Sequence, residues 1–97
     1  MISIIVVSWN SGTDLEACVE SLAEARRAAA VPAELIVVDN GSQTPPGAAV
    51  RRRWPDAIVA ELGENAGFGP AVNAGAARAG GDILLLVNPD AHAVGDV

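Results

Sequence analysis

Leu84-Leu85-Leu86-Val87-Asn88-Pro89-Asp90 is a continuous apolar run that breaks abruptly into an amide, a proline and a carboxylate. Such a run suits a parallel strand buried on both faces, with Asp90 just past its carboxyl end. In open α/β sheets ligands bind outside that edge. A carboxylate there can hold a divalent cation against a phosphate, because hard cations take oxygen ligands and Mg²⁺ is commonly held by one or two carboxylates plus substrate phosphates. Asn-Pro-Asp is equally the punctuation of an ordinary turn, so the rest of the chain has to decide.

Upstream, residues 2–8 are a β-branched run ending in Trp9-Asn10-Ser11-Gly12, the pattern of a buried strand and its turn. Thr13-Asp14-Leu15-Glu16 has capping-box spacing, and Leu15, Cys18, Val19 and Leu22 recur at i, i+3, i+4 and i+7. This predicts a helix from near Thr13 to about Ala30, stopped before Pro32. A second strand is expected over 34–38, closed by Asp39-Asn40-Gly41-Ser42, and a short helix from about Gly47 to Arg53. A third strand over 57–61 leads into the loop 63–69. Pro70 suits the first turn of the next helix, whose small residues 71–79 allow close packing on a sheet. Gly80-Gly81 ends it before the last strand, 82–87. The order βαβαβαβ predicts an α/β fold: an open, mostly parallel sheet of about four strands with helices on both faces, in a single domain over residues 1–97.

A chain of 97 residues is enough for one small domain with its own core. Net charge is −6 and all six cations are Arg, which argues against a broad basic surface and against nucleic acid as a partner. The composition, 51% hydrophobic but 3% aromatic, favours an aliphatic sheet packed by Ala-rich helices. With Cys18 alone, neither a disulfide framework nor a cysteine zinc site is available, and its place on a helical apolar stripe reads as a small buried hydrophobe. No basic leader or bilayer-length apolar run is present, so a cytoplasmic chain is expected.

In a parallel sheet the loops after strands one, two and four share one edge, so Asp39 and Asp90 are expected to line one crevice. A carboxylate after strand two can accept from a base N–H or a ribose hydroxyl; one after strand four can bring a metal to a pyrophosphate. Asn65 and Gly67 in the third loop can add a close backbone approach. Each residue also has a plainer reading. Asp39 can be an Asx-turn residue before Gly41, Asn65 and Asn73 can satisfy local backbone groups, and Trp9 can pack at a strand end. Arg51-Arg52-Arg53 reads as a solvated helix face. His92 is a candidate third metal ligand against the default of a solvated histidine.

On these residues the chain resembles the inverting family 2 glycosyltransferases of GT-A fold. The matching pieces are Val6-Val7-Ser8-Trp9-Asn10, Ile36-Val37-Val38-Asp39-Asn40-Gly41-Ser42, the Asn65 to Gly75 segment reading NAGFGPAVNAG, and Gly81-Asp82 through Asn88-Pro89-Asp90. Their order and spacing follow the family across nearly the whole chain. The resemblance implies a Rossmann-like, donor-binding half in which Ser8, Trp9 and Asn10 border the nucleotide and Asp39 contacts the base. Asp90 takes the last position of the metal motif, for Mg²⁺ or Mn²⁺. Asn88 stands where many members have the motif's first aspartate, so a ribose or water-mediated contact is implied there. Asn-Pro-Asp is similar to the rhamnosyltransferase branch, which implies a dTDP- or UDP-linked sugar donor, a lipid-linked glycan as acceptor, work in cell-envelope polysaccharide synthesis and a place at the inner membrane face. Members continue past this motif into a half that carries the catalytic base, so the 97-residue chain is expected to be the donor half alone, inactive by itself and prone to self-association.

Two other classes stay open. A dinucleotide-binding Rossmann domain needs Gly-x-Gly-x-x-Gly directly after the first strand, where Gly12 stands alone. A non-catalytic nucleotide-binding or self-associating fragment would differ from an enzyme by metal-dependent nucleotide binding without turnover.

Overall fold

Strand and helix alternate without exception along β1 (Ile2–Ser8), α1 (Gly12–Ala29), β2 (Ala33–Asp39), α2 (Gly47–Arg53), β3 (Ile58–Glu61), α3 (Phe68–Arg78) and β4 (Ile83–Val87). The structure is a computed structural model and describes residues 1–89. All strand pairings are parallel, in the order β3-β2-β1-β4. The chain winds outward from β1 to β3, then returns so that β4 pairs with the free side of β1. That reversal creates a topological switch point between β1 and β4.

The β-branched runs explain the central strands. Successive side chains point to opposite faces, and an uninterrupted apolar run supplies both faces at once. Ile4, Val6, Leu35 and Val37 pack on one side with Leu15 and Val19 of α1 and Val50 of α2. Ile5, Ile36 and Val38 face the other side, where Ala71 of α3 covers them. Trp54 is only 1% exposed beneath the first layer, and the Arg26 guanidinium lies 3.8 Å from its ring centroid. α3 lies close because it is thin: a Cβ on Gly75 would come 2.8 Å from Ile5 Cγ2 and 3.1 Å from Val38 Cγ2.

Several expectations change. β4 is a strand, as read, but its position outside β1 makes it an edge. Ile83, Leu84, Leu85 and Leu86 are 60, 51, 45 and 51% exposed instead of buried on both faces. The first helix is capped at Ser11, with no side-chain cap bond, and Thr13 lies inside it, so the capping-box reading fails. Ser11 Oγ instead accepts from the Trp9 N–H. α3 starts at Phe68, two residues before Pro70, which still falls in its first turn. Arg51 and Arg52 are exposed, whereas Arg53 turns back to bridge Glu16 at 3.1 Å and Glu20 at 3.4 Å on α1. Cys18 is 1% exposed on the α1 stripe, and its thiol donates to the Asn88 carbonyl at 3.7 Å.

Candidate functional site

The carboxyl ends of the strands lie level: Ser8 is opposite Asp39, and Asp39 opposite Glu61. Three loops leave this edge and are fastened to one another by polar side chains. Asn10 adopts a left-handed backbone, φ 50°, a conformation that Asn tolerates better than most residues. That geometry lets its N–H donate to Ser42 Oγ at 2.8 Å while its Oδ1 accepts from the Gln43 N–H at 2.9 Å. The loops after β1 and β2 are thereby stapled together.

A second staple runs from β2 to the loop after β3. The Asn40 side chain, in a residue 4% exposed, donates from Nδ2 to the Gly67 carbonyl at 3.1 Å and accepts at Oδ1 from the Ala66 N–H at 2.9 Å. Gly41, at φ 86°, makes this close approach possible, since a Cβ there would sit 2.8 Å from the Glu64 backbone. Asn65 Oδ1 accepts from the Gly67 N–H at 3.0 Å, an Asx turn that sets up the α3 N-cap, where Gly67 itself has φ 94°.

Asp39 is 3% exposed at the end of β2. Its Oδ2 accepts from the Ser42 N–H at 3.2 Å, and its Oδ1 accepts from the Ser42 hydroxyl. The turn geometry of the plainer reading is therefore present. A carboxylate offers about four lone-pair positions, so these bonds orient the group while leaving it acceptor capacity.

Two cavities open along this edge. One, of about 390 Å³, lies between the loops after β1 and β2 and is lined by Ser8, Asn10, Ser42, Thr44 and Pro46 among others. The other, of about 380 Å³, sits at the switch point and is lined by Trp9, Asn10, Ser11, Asp14, Asn88 and Pro89. Trp9, at 55% exposure, stands over the edge and does not pack beneath it, contrary to the packing default for a strand-end Trp. Ser8, Trp9, Asn10 and Asn88 thus gather around the two cavities. Asp39 lies one strand away from the switch point, with β1 between it and β4. Asn65 and Gly67 sit beyond β2, joined to the rim through Asn40. Asp90 and His92 fall outside the described residues.

Asn40 and Ser42 hold the rim together, yet the sequence reading gave them only turn roles. The available signal was the Asp39-Asn40-Gly41-Ser42 run itself, whose amide and hydroxyl can bond to nearby backbone. Their long-range partners, 26 to 32 residues away, carry no local signature. Among the described residues no three of His, Cys, Asp and Glu group as a metal site, while the switch-point crevice offers oxygen donors, the chemistry of a hard cation. No described helix is long and apolar enough to cross a membrane.

The glycosyl transferase family 2 model matches residues 3–94. The chain belongs to that family. The crystal structure of S. aureus TarS 1–349 superposes with a TM-score of 0.78 at 27% identity, covering 92% of this chain and 27% of that one. The same TarS fragment in complex with UDP-GlcNAc gives 0.74 at 26% identity, over 92% and 26%. Mannosyltransferase PcManGT from Pyrobaculum calidifontis, in complex with GDP-Man and Mn²⁺, gives 0.78 at 27% identity, over 94% and 28%. The family 2 chain described here therefore spans about a quarter of the length of these structures. The four-stranded parallel sheet with helices on both faces is the Rossmann-like half of their GT-A fold. No curated protein matches the chain.

Proposed function

We propose that the chain supplies the nucleotide-sugar-binding part of a glycosyltransferase that moves a sugar from a nucleoside diphosphate to an acceptor hydroxyl, with inversion at the anomeric carbon. The observation that carries this reading is the single polar rim at the carboxyl edge of the sheet, where Ser8, Trp9, Asn10 and Asn88 line two cavities and Asp39 ends the neighbouring strand opposite Ser8. Trp9 offers a face for the base, Asp39 an acceptor for a base N–H, and Asn88 a partner for ribose or water. Asn65 and Gly67 act through the backbone of their loop. Asp90, the next residue in sequence after Pro89, is proposed to hold Mg²⁺ or Mn²⁺, which would offset charge on a departing diphosphate. UDP and GDP sugars in the similar structures support a nucleoside diphosphate donor. The Asn88-Pro89-Asp90 form supports dTDP-rhamnose as the first donor to try, with a lipid-linked glycan as acceptor. The exposed apolar face of β4 supports association of the chain with itself.

Calorimetry with dTDP, UDP and GDP, each with Mn²⁺ or Mg²⁺ and then with chelator, tests the binding claim. Metal-sensitive heat with one of them is expected; its absence with all three overturns the reading. Asp39→Ala should weaken nucleoside and nucleotide alike by about 1–3 kcal/mol, the usual effect of losing a charge-assisted hydrogen bond. Asp90→Ala should remove only the metal-dependent part. Retention of configuration in the sugar product would rule out single displacement.

A further inference from the structure

We infer that Ser42 is a positioning residue, and that its hydroxyl couples the Trp9-Asn10 loop to the direction in which Asp39 presents its carboxylate. The inference rests on the nucleotide reading above. One oxygen makes both connections. Ser42 Oγ accepts from the Asn10 N–H at 2.8 Å and donates its own O–H to Asp39 Oδ1, while the Ser42 N–H donates to Asp39 Oδ2 at 3.2 Å. The chain Asn10 N–H to Ser42 O–H to Asp39 carboxylate therefore runs in one direction from the first loop to the end of β2. It has a fixed polarity, because a backbone N–H can only donate and a carboxylate can only accept. A hydroxyl is the side-chain group that satisfies both neighbours at once, and linked bonds of this kind polarise one another.

The chain also locates the two surfaces that a base would meet. Asn10 carries Trp9 on its amino side, and Asn10 is itself held in the left-handed region by the bonds that Ser42 and Gln43 make to it. Without the Ser42 hydroxyl, Asn10 loses the acceptor for its N–H, and Asp39 Oδ1 loses its donor. The carboxylate then keeps only the Ser42 N–H at Oδ2, and about that single bond it can swing away from the rim. The aromatic face and the acceptor are no longer held in fixed relation, while the β2 strand beneath, with Val37 and Val38 at 0% exposure, has no reason to change. Ser42 thus acts on selectivity for the base and not on the fold.

The test pairs Ser42→Ala and Ser42→Thr with two probes, UDP and UDP methylated at the base N3, which lacks the N–H that Asp39 would accept. In the unaltered chain methylation should weaken binding roughly tenfold, as for one charge-assisted hydrogen bond. In Ser42→Ala the two probes should bind within about twofold of each other, because UDP alone loses affinity, and Ser42→Thr, which keeps the hydroxyl, should restore the difference. Equal weakening of both probes by Ser42→Ala, or an undiminished difference between them, overturns the inference. If the unaltered chain binds neither probe, UDP is not its nucleotide, the nucleotide reading itself fails only if dTDP and GDP give no binding either, and amide hydrogen exchange then judges Ser42 alone. Faster exchange at Asn10 with β2 unchanged supports the coupling, and unchanged exchange at Asn10 refutes it.

Discussion

Glu34 and Ser3 form a polar clasp at the amino-terminal edge of the sheet, the end away from the polar rim. Glu34 Oε2 accepts from the Ser3 hydroxyl at 2.6 Å and from the Gly80 N–H at 2.6 Å, and Ser3 Oγ accepts from the Gly81 N–H at 2.9 Å. The turn between α3 and β4 is thereby tied to β1 and β2 through two side chains. The Ser3 hydroxyl bond, followed by the Gly80 N–H, holds the Glu34 carboxyl below its usual value, against a smaller opposing effect of burial and with further help from Gly81. A group whose folded pKa is depressed stabilises the fold above its unfolded pKa and loses that contribution as pH falls through the folded value. The chain should therefore lose stability on acidification through and below the ordinary Glu range, and Glu34→Gln should flatten that part of the curve. Denaturant midpoints measured across the acid range check this. In Ser3→Ala, a carbon-detected titration of Glu34 should show its pKa rising toward the ordinary value; no movement would assign the shift elsewhere.

Among the elements, α3 is the one whose sequence most clearly reflects its packing. Gly75 faces Ile5 and Val38 with no room for a methyl group, so Gly75→Ala must either push α3 from the sheet or force those side chains off their rotamers. A loss of about 1–3 kcal/mol in chemical denaturation is expected, although Ala is the better helix former by roughly 1 kcal/mol. A gain in stability would show that the helix has slack. Asn40→Asp makes a companion test for the loop ahead of α3: it replaces the donor to the Gly67 carbonyl by an acceptor of the same shape, so exchange at Ala66 and Gly67 should accelerate while β2 stays protected. These elements also show what the sequence could tell. The helices and strands were legible because their periods are set by which face each element buries, and α2 was read at its observed bounds of Gly47–Arg53. The rim residues Ser8, Trp9, Asn10 and Asn88 were legible because parallel topology sends every strand end to one edge. The Asn40 and Ser42 staples were not, since each depends on a partner in another loop, and the helix start was misplaced because Ser11 spends its hydroxyl on Trp9 and leaves the N-terminus uncapped by a side chain. β4 misled for a related reason: an apolar run signals what a strand is able to bury, and not whether its neighbours cover it.

For the whole molecule, coverage of the sheet is uneven. α1 and α2 on one face and α3 on the other cover β1, β2 and β3, whereas β4 carries four large apolar side chains that are 45 to 60% exposed. Phe68, 67% exposed at the start of α3, extends this surface on the side of Leu86, where both line a third cavity with Val7 and Pro89. β4 also ends the sheet, so among the described residues one side of its backbone lacks a strand partner. An open apolar edge is a template for another copy of the same strand, and natural proteins commonly blunt such edges with Lys or Pro, neither of which occurs within Ile83–Val87. The net charge of −6 opposes close approach only weakly at physiological salt, where the screening length is about 8 Å. The 97-residue chain should therefore associate with itself through β4. Light scattering coupled to size exclusion should give a mass above the 9.8 kDa of one chain, rising with concentration. Leu84→Lys together with Leu86→Lys places two charges on one face of the edge and should return the species to a monomer, with the β1, β2 and β3 core intact by circular dichroism. A parent chain that stays monomeric at every concentration, or a double variant that associates as before, would remove β4 as the contact.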